Sequence, residues 1–179
     1  YQVIYKIHAH LINPNRHNEP LRLLILGGPG TGKTTCLSEA EMLSNNPIIY
    51  TAVGGAAASN LPGGKTVCNV MGLNPIITTK SPASKRALPI LNSNRDTQKL
   101  LFLQQQSQQK HGILCVDEIS MMTALYLKHT SNRMCEVPSD EEHNQEPFGN
   151  HSVSLMGDYN QIPAIGENII KWIFKVLIQ

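Results

Sequence analysis

Residues 21–35 read LRLLILGGPGTGKTT, an apolar run that stops at a glycine-rich loop ending in lysine and two threonines. Gly27, Gly32, Lys33 and Thr34 fit the spacing G-x-x-x-x-G-K-[ST]. That spacing has a physical cause. Glycines let the backbone turn so that successive N–H groups point inward at phosphate oxygens. The N-terminus of the following helix adds its partial positive charge. The lysine reaches the β and γ phosphates, and the hydroxyl after it takes Mg²⁺. Such a loop operates between a buried strand and a helix, so it commits the chain to a strand–loop–helix unit. The expected nucleotide-binding set is Gly27, Gly28, Pro29, Gly30, Thr31, Gly32, Lys33, Thr34 and Thr35. Within it, Pro29, Gly30 and Thr31 shape the loop and Thr35 sits in the first helical turn.

Three more apolar runs stop in the same way. Ile48–Ala52 (IIYTA) ends at Gly54 and Gly55, Ile113–Val116 (ILCV) at Asp117 and Glu118, and Val153–Met156 (VSLM) at Gly157 and Asp158. Short apolar runs are ambiguous by periodicity alone. Here each stops at glycines or acids, which favours strands, as does Leu21–Leu26 before the loop. Helical patterns fit Gly32–Leu43, roughly Ser120–Met134, and Ile169–Ile178. Alternating strand and helix predicts an α/β fold of the P-loop NTPase type, a parallel sheet sandwiched by helices. Ligands of such sheets bind beyond the carboxyl ends of the strands, where all these polar clusters fall. Asn74–Asp96, Leu103–Gln109 and Pro138–Gly149 read as surface loops or insertions.

Composition excludes more than it assigns. The 179 residues suit a single domain, 41% apolar and so able to bury a core. No apolar run approaches the roughly 18 residues that span a bilayer, so no membrane partner is expected. The first residues, YQVIYKIHAHL, mix charge and histidine into their apolar positions, unlike a signal peptide. Cys36, Cys68, Cys115 and Cys135 lie far apart with no Cys-x-x-Cys pair, which argues for reduced thiols in an intracellular protein. Cys135, His143 and His151 lack zinc spacing. A net charge of +2 is too small to argue for nucleic acid.

The chemistry concentrates at two strand ends. In ILCVDEIS, Asp117 is placed to hold Mg²⁺, directly or through water, opposite Thr34. Glu118 then orients or deprotonates a water for in-line attack. The competing reading is an acidic helix start satisfied by the helix dipole; the complete phosphate loop favours catalysis over it. In LMGDYNQIPAIG, Asp158 and Gln161 stand at another strand end. A glutamine near a γ-phosphate can sense its presence and pass the difference to a neighbouring element. An ordinary loop ended by Pro163 is the alternative there, and spacing does not separate the two.

Taken in order, GGPGTGKTT, TAVGGAAASN, VDEISMM and PFGNHSVSLMGDYNQIPAIG resemble the helicases of superfamily one. More narrowly, they resemble the petite-integration-frequency (PIF-type) DNA helicases and the related helicases of Helitron transposons. The resemblance runs from about Leu21 to Gly166. It implies a RecA-like fold with ATP and Mg²⁺ as cofactors. Lys33, Thr34, Asp117 and Glu118 would serve ATP hydrolysis, with Asp158 and Gln161 coupling the γ-phosphate to DNA. TAVGGAAASN and GGKTVCNVMGL would run along single-stranded DNA, through Thr51, Gly54, Gly55, Asn60 and Thr66, the small residues admitting the phosphodiester chain. Movement would be 5′ to 3′, in DNA repair, recombination and telomere maintenance, in the nucleus or the mitochondrion. The chain departs from the family pattern at Gly54 (usually threonine), at Cys68 and Asn69 (often histidine–serine) and at Ala164 (usually proline). Gln2 is a weak match to an adenine-reading glutamine.

Helicases of this kind close ATP between two RecA-like domains, the second supplying an arginine finger worth roughly 10³–10⁵ in rate. No arginine follows Arg133 and no second set of strand-end motifs follows Gly166. The 179 residues therefore read as the first motor domain alone, a fragment or truncated form, expected to bind ATP weakly and not to unwind duplex by itself. Two other readings stand beside the helicase. One is a P-loop ATPase or switch without a nucleic-acid track. The other is a transposon-derived remnant that binds nucleotide without turnover. A GTP switch is disfavoured by the lack of Asn-Lys-x-Asp, and a P-loop kinase by the lack of an arginine-rich lid.

Overall fold

The computed structural model describes residues 2–13, 19–44, 48–73, 113–136, 145–158 and 160. Helix α1 (Gln2–Ile12) leads into strand β1 (Arg22–Leu26), helix α2 (Lys33–Ser44) and strand β2 (Ile48–Ala52). A short helix α3 (Gly55–Ser59), a two-residue strand β3 (Lys65–Thr66) and helix α4 (Val67–Met71) follow. Strand β4 (Ile113–Asp117), helix α5 (Ala124–Cys135) and strand β5 (Ser152–Gly157) complete the described elements, with 3₁₀ turns at Ile119–Met121 and Pro147–Asn150. The five strands form one sheet, ordered β1-β5-β4-β2-β3, and every pairing is parallel. This is the expected α/β P-loop fold, and all four apolar runs form strands.

Alternation along each strand divides the core between two faces. Ile113 and Cys115 join Ile25, Ile48, Tyr50 and Met156 beneath α1 and α2. Leu114 and Val116 join Val153 and Leu155 on the other face, against α4 and α5. Both faces of β4 and β5 are covered, which is why these strands read as continuous apolar runs rather than alternating ones. On α1, Ile7 and Leu11 pack against Leu37 and Ala40 of α2, while His10 Nε2 meets Ser152 Oγ at 2.7 Å. The Glu41 carboxylate on α2 accepts from Ile48 N–H at 2.9 Å and Tyr50 O–H at 3.0 Å, fixing the helix to β2. No helix among the described residues is long and apolar enough to cross a membrane.

Two expectations change. The helical pattern from Ser120 breaks in two, because the Thr123 side chain accepts from Tyr126 N–H at 3.1 Å and caps α5 at Ala124. Residues 119–121 form a separate 3₁₀ turn. The stretch Pro138–Gly149, read as a surface loop, ends in the core: Phe148 is fully buried. Its N–H donates to Ser131 Oγ at 2.9 Å, and Gly149 lies so close to α5 that a Cβ there would meet Met134 O at 2.6 Å. Phe148 and Asn150 both adopt positive φ, a strained turn held from outside. The clamp is Arg22, whose guanidinium donates to the carbonyls of Pro147, at 2.8 Å, and His151, and lies 5.7 Å from the Phe148 ring centroid. Burial lowers the Arg22 pKa to about 10, with Glu146 opposing the fall. The expected helix over 169–178 and the stretches 74–96 and 103–109 lie outside the described residues.

Phe148 thus anchors the second face of the sheet. Phe148→Ala should lower unfolding free energy by about 3–5 kcal/mol, read from urea denaturation. A loss below about 1 kcal/mol would mean the ring is not in the core.

Candidate functional site

A parallel sheet brings the carboxyl ends of its strands to one edge, and the register decides which of them meet. Leu26 pairs with Gly157, and Ala52 pairs with Asp117. Because β5 lies between β1 and β4, Asp158 stands between the loop after β1 and the acids at the end of β4. The ladder continues beyond β1 as Gly27 N–H donates to Gly157 O at 3.1 Å.

The loop is then shaped residue by residue. Gly30 and Gly32 take φ of +69° and +84°, which side chains other than glycine rarely adopt. Thr31 Oγ1 donates to Gly28 O at 2.9 Å, closing the turn. Lys33 Nζ donates to Gly27 O at 2.6 Å and Gly28 O at 2.9 Å, so the ammonium lies over the loop. The first helical bond of α2 runs from Cys36 N–H to Gly32 O, leaving the N–H groups of the first turn directed out of the helix. The result is a floor of donors and positive charge.

Acids face that floor. Asp117 Oδ1 accepts from Glu118 N–H at 2.8 Å. Glu118 has φ 56° and ψ 39°, a left-handed turn that costs a side-chain-bearing residue about 1–3 kcal/mol. Both carboxylate residues line one open cleft of about 470 Å³ together with Lys33, Thr34, Gly157 and Asp158. Burial, and then the adjacent Asp117 carboxylate, push the Glu118 carboxyl above its ordinary value. Asp158 is nearly buried and accepts from Asn160 N–H at 2.9 Å. The opposite wall comes from α3 and its exit, through Ala57, Asn60 and Leu61.

The sequence-predicted residues fall into three groups. Pro29, Gly30, Thr31, Gly32, Lys33, Thr34, Thr35, Asp117 and Glu118 meet at the cleft, and Gly27 and Gly28 hold Lys33 from beneath. Of the residues expected on DNA, Asn60 lines this same cleft, and Gly54 lies against Glu118. Gly55 is exposed with open space around it. Thr66 caps α4, accepting from Asn69 N–H at 3.2 Å. Thr51 requires correction as a side-chain contact: it is fully buried in the sheet, and its hydroxyl donates to Cys115 O at 2.6 Å. Gln161 lies outside the described residues. Ala57 and Leu61 were not anticipated as cleft residues. Their signal is the helical spacing from Gly54, legible only once GGAAAS is known to be a helix rather than an extended track.

Thr34 and Asp117 present a hydroxyl and a carboxylate to the same cleft, the hard oxygen donors that suit Mg²⁺. Comparison with known proteins gives the arrangement its family. The family model for PIF1-like helicases matches residues 4–176. The chain belongs to the PIF1-like helicase family. A curated relative, the ATP-dependent DNA helicase Pif1 of Psychrobacter sp. (strain PRwf-1), is 29% identical over 147 residues, 80% of this chain and 20% of the relative. Bacteroides Pif1 bound to single-stranded DNA is 25% identical, with a TM-score of 0.64 over 97% of this chain and 35% of that one. Bacteroides Pif1 in complex with ADP-AlF4 is also 25% identical, with a TM-score of 0.62 over 98% of this chain and 36% of that one. Pif1 from Candida albicans, 20% identical with a TM-score of 0.67 over 99% of this chain and 37% of that one, shares the fold. The chain thus spans a fifth of the curated relative's length and about a third of the solved structures'.

The loop geometry makes a contrast between two glycines. Gly32→Ala should cost about 1–2 kcal/mol through its left-handed φ, whereas Gly55→Ala, in a helix, should be neutral or mildly stabilising. Thermal unfolding of both variants checks this; equal effects would contradict the loop described.

Proposed function

We propose that this chain is the first RecA-like motor domain of an ATP-dependent DNA helicase, moving 5′ to 3′ on single-stranded DNA in genome maintenance. The observation that carries the reading is the shared cleft, in which Lys33 and the α2 N-terminus face Asp117 and Glu118. Its support from relatives is the pair of Bacteroides Pif1 structures, one bound to single-stranded DNA and one in complex with ADP-AlF4.

In this reading the loop N–H groups and Lys33 bind the triphosphate of ATP, and Lys33 turns from the Gly27 and Gly28 carbonyls toward the β and γ oxygens. Thr34 and Asp117 would hold Mg²⁺, which would neutralise charge on the phosphates. Glu118 takes the proton of the attacking water, and its raised carboxyl pKa makes it a better base. Asp158, between loop and acids, is the strand-end group through which the chain after β5, including Gln161, senses the γ-phosphate. A second RecA-like domain would close the cleft and supply an arginine finger.

Lys33→Ala should abolish ATP binding. Glu118→Gln should retain binding and lose turnover by about two to four orders of magnitude. Single-stranded DNA should stimulate hydrolysis by the full-length protein, and turnover indifferent to DNA would contradict a helicase. The 179 residues alone should bind ATP without unwinding duplex; robust unwinding by them would contradict the division of labour proposed.

A further inference from the structure

Arg133 is the largest fully buried side chain among the described residues, 1% exposed. Burying a guanidinium is unfavourable unless its donors are used, and an apolar side chain of similar volume often fills such a space equally well. What the guanidinium does here is join two helices. Its Nε donates to Met71 O at 3.0 Å, and its Nη1 donates to Glu136 Oε2 at 2.7 Å. Met71 is the last residue of α4, so its carbonyl is one that a helix leaves without an internal partner. Glu136 caps the end of α5. Arg133 thus satisfies the end of one helix from within another, 62 residues along the chain.

Helix α4 depends on such contacts. Five residues are too few for a helix to hold itself in water. Its first turn is capped by Thr66, and beside it the Tyr126 O–H of α5 meets Cys68 Sγ at 2.8 Å. Val67, Val70 and Met71 of α4 are buried in one cluster with Ile119, Met122, Tyr126 and Leu127. Those partners lie on the stretch that leads away from the acidic pair, the 3₁₀ turn after Glu118 and then α5. Arg133 therefore fastens the far end of α4 to the same stretch. On its outer side α4 is flanked by exposed Lys65 and Asn69, a cation and an amide of the kind that contact nucleic-acid phosphates.

We propose that Arg133 is a positioning residue that makes α4 and α5 one rigid unit, so that nucleotide beside Asp117 and Glu118 and single-stranded DNA beside the start of α4 alter each other's binding. This rests on the DNA track proposed above, with Thr66, the cap of α4, among its contacts. A ligand that moves the 3₁₀ turn moves α5, and through the Arg133 bond it moves α4. The coupling acts equally in both directions, because two sites that share one free energy of interaction change each other's affinity by the same factor.

The full-length protein tests this with oligo-deoxythymidine as the DNA and a slowly hydrolysed ATP analogue with Mg²⁺. In Arg133→Met, the factor by which the analogue changes DNA affinity should shrink about three- to tenfold, the contribution of one hydrogen bond. Stimulation of kcat by DNA should fall with it. Turnover without DNA and affinity for the analogue should stay within about twofold of wild type, and the melting temperature should fall by only a few degrees. A purely structural role would lower basal and stimulated turnover together and leave their ratio intact, and that result would overturn the proposal. Hydrogen exchange of the wild-type protein needs no variant. The analogue alone should change exchange at residues 67–73, and exchange there that ignores the analogue would also overturn the proposal. Wild-type protein in which DNA neither stimulates turnover nor responds to the analogue would instead overturn the helicase reading beneath it.

Discussion

The hydrogen bond from Gly27 N–H to Gly157 O, 3.1 Å long, is where the sheet becomes a site. It extends the β1–β5 ladder one step past the strand and fixes the first residue of the phosphate loop relative to the end of β5. β4 is paired to the other side of β5, with Val116 opposite Leu155. The loop and the acids are thus placed by one continuous run of parallel pairing rather than by contacts between their side chains. A glycine at 157 is part of the same constraint. A Cβ there would lie 2.5 Å from Ile119 Cγ2, so the 3₁₀ turn after Glu118 can close onto the end of β5 only over a bare backbone.

Much of this was legible because it is local. The loop spacing, the four strand ends and the acidic pair are each written within ten residues or fewer, and each has a backbone or charge reason. What escaped is set by distant contact. Thr51 reads as a small polar residue beside a glycine pair, but its register opposite Val116 puts it inside the sheet. Phe148 lies in an acidic, polar stretch, yet Arg22, far away in sequence, holds its turn against the core. Helix α1 carries Ile7 and Leu11 at helical spacing, but its docking depends on Leu37 and Ala40, which belong to another helix. Thr123 shows the finer limit: apolar periodicity runs through it, and a single capping hydroxyl decides where the helix starts.

The segment 51–61 changes most in meaning. Its small residues resemble a surface made for a nucleic-acid backbone. In the structure Gly54 faces Glu118, and Asn60 and Leu61 wall the cleft. The segment has one side at the cleft and continues toward β3 and α4, and Arg133 ties that continuation to α5. Its buried guanidinium donates to Met71 O at 3.0 Å and to Glu136 Oε2 at 2.7 Å, tying the end of α4 to α5. The elements leading away from the acidic pair and those leading away from the α3 wall therefore meet again on the far face of the sheet.

The central claim is that a single cleft has two walls, the phosphate loop and the segment beginning at Gly54. Hydrogen exchange of the backbone amides, with and without a slowly hydrolysed ATP analogue and Mg²⁺, tests it directly. The account predicts that residues 30–35 and residues 55–61 gain protection together, and that Lys33→Ala removes both effects. Protection confined to the phosphate loop, with 55–61 exchanging at the same rate in either condition, would contradict it.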